Sequence, residues 1–279
     1  MPKNIVTTEA VFNFELSIIN YTLFIKMAIP ASNIREVVAE LDIIIERCIN
    51  ENNKLGMFAA LYRKVTLHVE QGIAVGRFDD GARMERLDVV FANRYLEAFH
   101  AYSNGKPMTS SWKITFDASK NPTLFMLQHL VAGMNAHISL DLGIATAQTA
   151  AGQPLSAIQR DFNEINTLLS DLIDEVEKAL GQTSVVMKTV DWLAGKKDEE
   201  LARFSLEIFR NRAWQITSTL YGLEGDGFNQ QIAALDLQVS KENWWFTNLG
   251  SSLMPAFIRV AALIQNRKAA AVIRAFNAG

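Results

Sequence analysis

"QHLVAGMNAHISLDLGIATA", residues 128–147, decides how this chain folds. The stretch is apolar around its whole helical circumference, yet it carries His129, Asn135, His137 and Asp141. An all-round apolar helix belongs inside a protein or inside a bilayer. Asp141 and His137 fall near its centre, and basic or aromatic belts at its ends are weak, so a bilayer span is the poorer reading. The segment from Thr123 to about Ala150 is therefore expected to be a central helix enclosed by others, with Gly133 and Ala136 letting its neighbours approach closely.

The rest of the chain supplies those neighbours. Apolar residues recur at three- and four-residue spacing in "NIREVVAELDIIIERCI", "FAALYRKVTLHVEQGI", "MERLDVVFANRYLEAFHAY", "AIQRDFNEINTLLSDLIDEVEKAL" and "LARFSLEIFRNRAWQITSTL", each an amphipathic helix. Turn signals such as "GRFDDG", "SNGKPMTSSW" and "GLEGDG" separate them. Only 15 Gly and 6 Pro interrupt 279 residues, which favours long helices. No linker, low-complexity tract or repeat divides the chain. The expectation is an all-α, single-domain bundle over residues 1–279, with about eight to ten helices.

Bulk properties narrow the function classes. A net charge of −3 and a pI near 5.9 give no electrostatic footprint for nucleic acid or an anionic membrane. The one cysteine, Cys48, rules out an internal disulfide and any CxxC metal or redox motif. The N-terminus lacks a signal-peptide pattern, so a cytoplasmic protein is expected. "SKENWWF" places Trp244 and Trp245 as packing or pocket wall.

Polar residues on apolar faces mark the candidate site. At about 100° per residue, His137 and Asp141 share one face a turn apart, whereas Asn135 must address a different neighbour. In "ARMERLDVVFANRYLEAF", Arg94 points inward, with Asp88 and Tyr95 flanking the same apolar face and Arg83 on the Arg94 side. In "LARFSLEIFRNRAWQITSTL", Arg212 falls among Leu201, Ile208 and Ile216, while Arg203 and Arg210 fall on the solvent side. Asp161 and Asn166 flank the stripe of Phe162, Ile165 and Leu169. Buried groups of this kind need partners, so the bland reading is a hydrogen-bonded structural core. The sharper reading is a pocket for a small molecule lined from four helices.

Two chemistries fit that pocket. One is a divalent metal ion held by His137 and Asp141 at i, i+4, with His129 or His68 and Asp88 or Asp161 completing the sphere, although no HExxH or tight His/Cys cluster is present. The other is metal-free acid/base work, in which Asp141 or Asp88 orients His137, while Arg94 and Arg212 hold an oxyanion.

Two resemblances bear on the choice. "NTLLSDLID" places Asn166, Ser170 and Asp174 at the spacing of the second magnesium motif of helical isoprenoid-diphosphate enzymes, and "FDDGARMERLD" is faintly similar to their first. Thr167 departs from that pattern, and Asp79 and Asp80 read better as a helix N-cap. "GMNAHISLDL" resembles the N-A-H-I-x-x-D-L signature of an uncharacterised family of helical proteins from bacteria and some fungi. The similarity extends through "GRFDDGARMERLDVVFANRYLEAF", "SSWKITFDA" and "RDFNEIN", covering at least residues 60–170. It implies an all-helical fold and marks Asp88, Tyr95, Trp112, Asn135, His137, Asp141, Asp161 and Asn166 as shared positions, but it brings no reaction. The expected site thus has His137, Asp141, Asp88 and Arg94 as working groups, with Tyr95, Trp112, Asn135, Asn166 and Arg212 as substrate contacts.

Overall fold

Helix α1 (Ile34–Asn50) begins where the Asn33 side chain, on extended backbone, accepts the Glu36 N–H at 3.0 Å. The Glu36 carboxylate reaches back to the Ser32 N–H and hydroxyl, so the first turn is closed from both sides. Val37, Leu41, Ile44, Ile45 and Cys48 form its buried stripe. The computed structural model describes residues 30–165, 167–168, 198–248, 263 and 266–277. Among them every regular element is helical, and the protein is an all-α multi-helix fold.

After α1 come α2 (Gly56–Ala74), α3 (Gly81–Ser103) and α4 (Ser110–Ala118). Asp80 caps α3 by accepting the Arg83 N–H at 2.9 Å. The central rod follows as α5 (Met126–Met134), a π-helical stretch (Asn135–Asp141) and α6 (Leu142–Thr149). Helix α7 covers 156–165. The described chain then resumes with α8 (Asp198–Leu220), α9 (Gly225–Asn248) and α10 (Ala269–Asn277).

The apolar stretch is indeed enclosed: every residue from Asn135 to Ala147 is buried. The rod packs against α2, α3, α4, α8 and α9. Two glycines allow this. A Cβ on Gly133 would sit 2.7 Å from the Phe58 ring, and one on Gly143 would sit 2.6 Å from Ile216 and 2.9 Å from the Ala213 carbonyl oxygen. One apolar cluster runs from Ile34 to Ile273, and a smaller one joins Leu140 and Ile144 to Ile216, Leu220, Ile232 and Val239.

Two expectations change. The central helix is not uniformly α: the Leu142 N–H donates to the His137 carbonyl five residues back, the signature of a π turn. Trp244 and Trp245 are not pocket walls, because they lie on the outer side of α9 at 59% and 55% exposure. Among the described residues no helix is long and apolar enough to cross a membrane.

Candidate functional site

The π stretch delivers its side chains into a layer of aromatic rings. His137 stacks face to face on Phe91 of α3, with centroids 3.7 Å apart and planes 12° from parallel. Tyr62 of α2 meets it edge-on at 4.4 Å, and Phe58, Trp112 and Tyr95 complete the enclosure at 5.7, 5.9 and 6.0 Å. Only 2% of His137 is exposed.

Asp141, fully buried one turn on, is the hub. Arg94 Nε donates to its Oδ1 at 2.7 Å, Trp112 Nε1 donates to its Oδ2 at 2.8 Å, and His137 Nδ1 lies 3.2 Å from the same Oδ2. Burial opposes ionisation of this carboxyl. The Arg94 charge and the His137 and Trp112 hydrogen bonds outweigh burial and hold its pKa below the usual range. Burial lowers the His137 pKa; Asp141 opposes that shift and Arg94 reinforces it. The pair therefore rests as a carboxylate beside a neutral imidazole. With an ionised Asp141 as neighbour, Nδ1 carries the proton and Nε2 the lone pair. That Nε2 is buried and has no hydrogen-bond partner among the described residues.

The remaining expected residues divide. Asn135 does address another neighbour: its amide N–H group donates to Asn243 at 2.9 Å and Glu242 at 3.2 Å, and its carbonyl accepts from Ser139 at 2.8 Å. Arg212 joins this second network through an ion pair with Glu242. Asp88 sits on α3 one turn before Phe91, buried, with Oδ2 unpartnered; burial, then Glu85 and Glu70, push its carboxyl up to about 7. Tyr95, expected as a substrate contact, has a buried hydroxyl with no partner among the described residues and serves as an aromatic wall beside His137. Asn166 lies outside the described residues.

The metal set does not assemble. Among the described residues no group of three or more His, Cys, Asp or Glu is placed to hold an ion. Asp161 is committed elsewhere: it accepts the Asp79 and Asp80 N–H groups at 2.7 and 3.2 Å and pairs with Arg83 at 2.8 Å, pinning the start of α3 to α7. His129 lies beside the Thr115 and Ala118 carbonyls without a well-formed hydrogen bond; burial, then the Lys54 charge, lower its pKa to about 3. At the first diphosphate-type motif Asp80 is a helix cap and Asp79 pairs with Arg160, while Asn166, Ser170 and Asp174 of the second lie outside the described residues.

Arg210 reverses the helical-wheel assignment. It was expected on the solvent side but is only 3% exposed, whereas Arg212 is about one-third exposed. The arc of α8 that faces α7 includes Arg210 and Trp214, both against Phe162, and the apolar residues spread around this helix could not show that.

The chain belongs to DUF5995, a family of unknown function. The family's sequence profile matches residues 34–248, which takes in the whole central rod and both polar networks. No curated protein and no solved structure matches.

Residues that sequence reasoning passed over are Tyr62, Phe58, Asp236, Glu242 and Asn243. Asp236 accepts the Ser110 and Ser111 N–H groups at 2.6 and 3.0 Å, capping α4 from a neighbouring helix. Asn243 donates to Thr115 and to the Ser111 and Ala132 carbonyls, tying α4 to the rod. A signal existed: Asp236, Ser240, Asn243 and Thr247 recur at four, three and four residues, a polar stripe on α9 that is buried throughout.

Proposed function

We propose that this chain is a cytoplasmic enzyme that moves a proton on a small, partly apolar molecule, with His137 Nε2 as the general base. One observation carries the reading: a buried neutral imidazole whose Nδ1 is held by a carboxylate while its Nε2 has no partner among the described residues. Asp141 fixes the tautomer and would stabilise the imidazolium formed when Nε2 takes a proton. Arg94 offsets the Asp141 charge and, at 13% side-chain exposure, is the member of the trio nearest solvent, where a substrate oxygen would meet it first. The aromatic rings around His137 suit an apolar body next to the acidic C–H.

The second reading is a polar network that fixes helix register without chemistry, favoured by the near-complete burial of His137 and Asp141. Proton NMR in D2O separates the two. The protein is incubated with a panel of small aldehydes, ketones, esters and carboxylic acids, and exchange of acidic C–H for deuterium is followed. Wild-type-dependent exchange that vanishes in a folded His137→Asn variant supports the base. No exchange, with a stability loss of about 1–3 kcal/mol in the variant because Asp141 loses a partner, decides for the structural network.

A further inference from the structure

Arg210 presents an electrostatic problem that the site above does not touch. Its guanidinium is buried between α8 and α7, where Nη2 donates to the Phe162 carbonyl and the planar group lies 4.4 Å over the Phe162 ring. Trp214, one turn further along α8, packs on the same Phe162 ring at 5.0 Å. Nε and Nη1 are buried with no hydrogen-bond partner among the described residues.

No carboxylate answers the charge among the described residues. The carboxylates paired with arginine in this part of the molecule are spent: Asp161 on Arg83, Glu164 on Arg77, Asp79 on Arg160 and Glu242 on Arg212. Consistent with that, burial alone acts on Arg210, bringing its pKa down to about 9, with no opposing anion. A guanidinium at that pKa is still charged at neutral pH. A lone buried cation with unused donors is costly, and proteins place such groups where an anion completes them.

We infer that Arg210 is the anchor of a second, anionic-ligand site between α7 and α8, binding a small oxyanion (an organic carboxylate or inorganic phosphate) against the Phe162 and Trp214 rings. A single uncompensated positive charge matches a monoanionic group. The stacked ring and indole favour a ligand whose body is flat or apolar. The site differs from the His137 centre in its residues and does not depend on the acid/base reading.

The test is thermal unfolding of the full chain at constant ionic strength and pH 7 with sodium phosphate, sodium acetate or sodium benzoate replacing sodium chloride. Wild type is expected to show a saturable rise in Tm with at least one oxyanion over chloride. Arg210→Lys should raise the half-saturating concentration at least about tenfold, and Arg210→Met should abolish the response while staying folded, because the change gives up one hydrogen bond, to the Phe162 carbonyl, and removes a buried charge. A larger response to benzoate than to acetate assigns the carboxylate with a flat body; a response to phosphate alone assigns the phosphate. Equal Tm values in all four salts, or an oxyanion response that persists in Arg210→Met, overturns the inference.

Discussion

At the residue scale, the outcome depends on which polar atoms found partners. Asp141 accepts from three side chains, so removing a donor leaves part of its charge unanswered: Trp112→Phe is expected to cost about 1–3 kcal/mol in urea unfolding. Tyr62→Phe makes the opposite case. Its hydroxyl is buried beside Thr66 without a well-formed hydrogen bond, so the variant should be neutral or slightly more stable. A loss above about 1 kcal/mol would show that the hydroxyl has a partner in solution. Much of this was legible. His137, Asp141, Asn135 and Arg94 stood out as polar groups on apolar faces, and Trp112 came from the family resemblance. Tyr62 and Phe58 did not, because an aromatic residue on an apolar face reads the same whether it fills space or encloses an imidazole.

At the element scale, the π stretch and the two glycines that flank it set how closely the rod meets its neighbours. Gly143→Ala would drive a methyl into Ile216 and the Ala213 backbone, which cannot yield as a side-chain tip can. We expect a loss of about 1–3 kcal/mol despite the better helix propensity of Ala. Gly227→Ala in α9 meets nothing within 4 Å and should change stability by less than about 1 kcal/mol, in the favourable direction. If Gly143→Ala unfolded at the wild-type urea midpoint, the close packing of the rod on α8 would be disproved. The helix pattern itself was readable from apolar spacing, since each surface helix keeps one dry stripe. The π turn was not, because it departs from α geometry by one hydrogen-bond register and leaves no mark in composition. The same limit misplaced Arg210, whose side of α8 is set by α7 packing on it.

At the scale of the whole molecule, buried titratable groups set the pH range of stability. Asp88 has a raised pKa, about 7 against 3.8, so its contribution is fully present below about pH 4 and is lost as pH rises through 7. His129 has a lowered pKa, about 3 against 6.5, so stability falls as pH drops below about 6.5 while the unfolded chain gains a proton that the folded chain refuses. His137 acts in the same direction, and the lowered pKa of Asp141 adds a loss at still lower pH. Stability measured by urea unfolding from pH 4 to 8 should therefore gain in Asp88→Asn relative to wild type as pH rises, by an amount on the order of 2–4 kcal/mol across that range. A wild-type difference that stays constant with pH would mean that Asp88 titrates normally and is solvated. By itself the sequence determined the helical class, the enclosed rod and most of its inward polar groups, because periodicity records which face of each helix leaves water. Only the tertiary structure decided which of those groups meet. It joined Arg94, Trp112 and His137 at Asp141, sent Asp161 to Arg83, and left Arg210 buried without an anion among the described residues. A helix's own residues state that a side chain points inward, but the neighbouring helix supplies what it finds there.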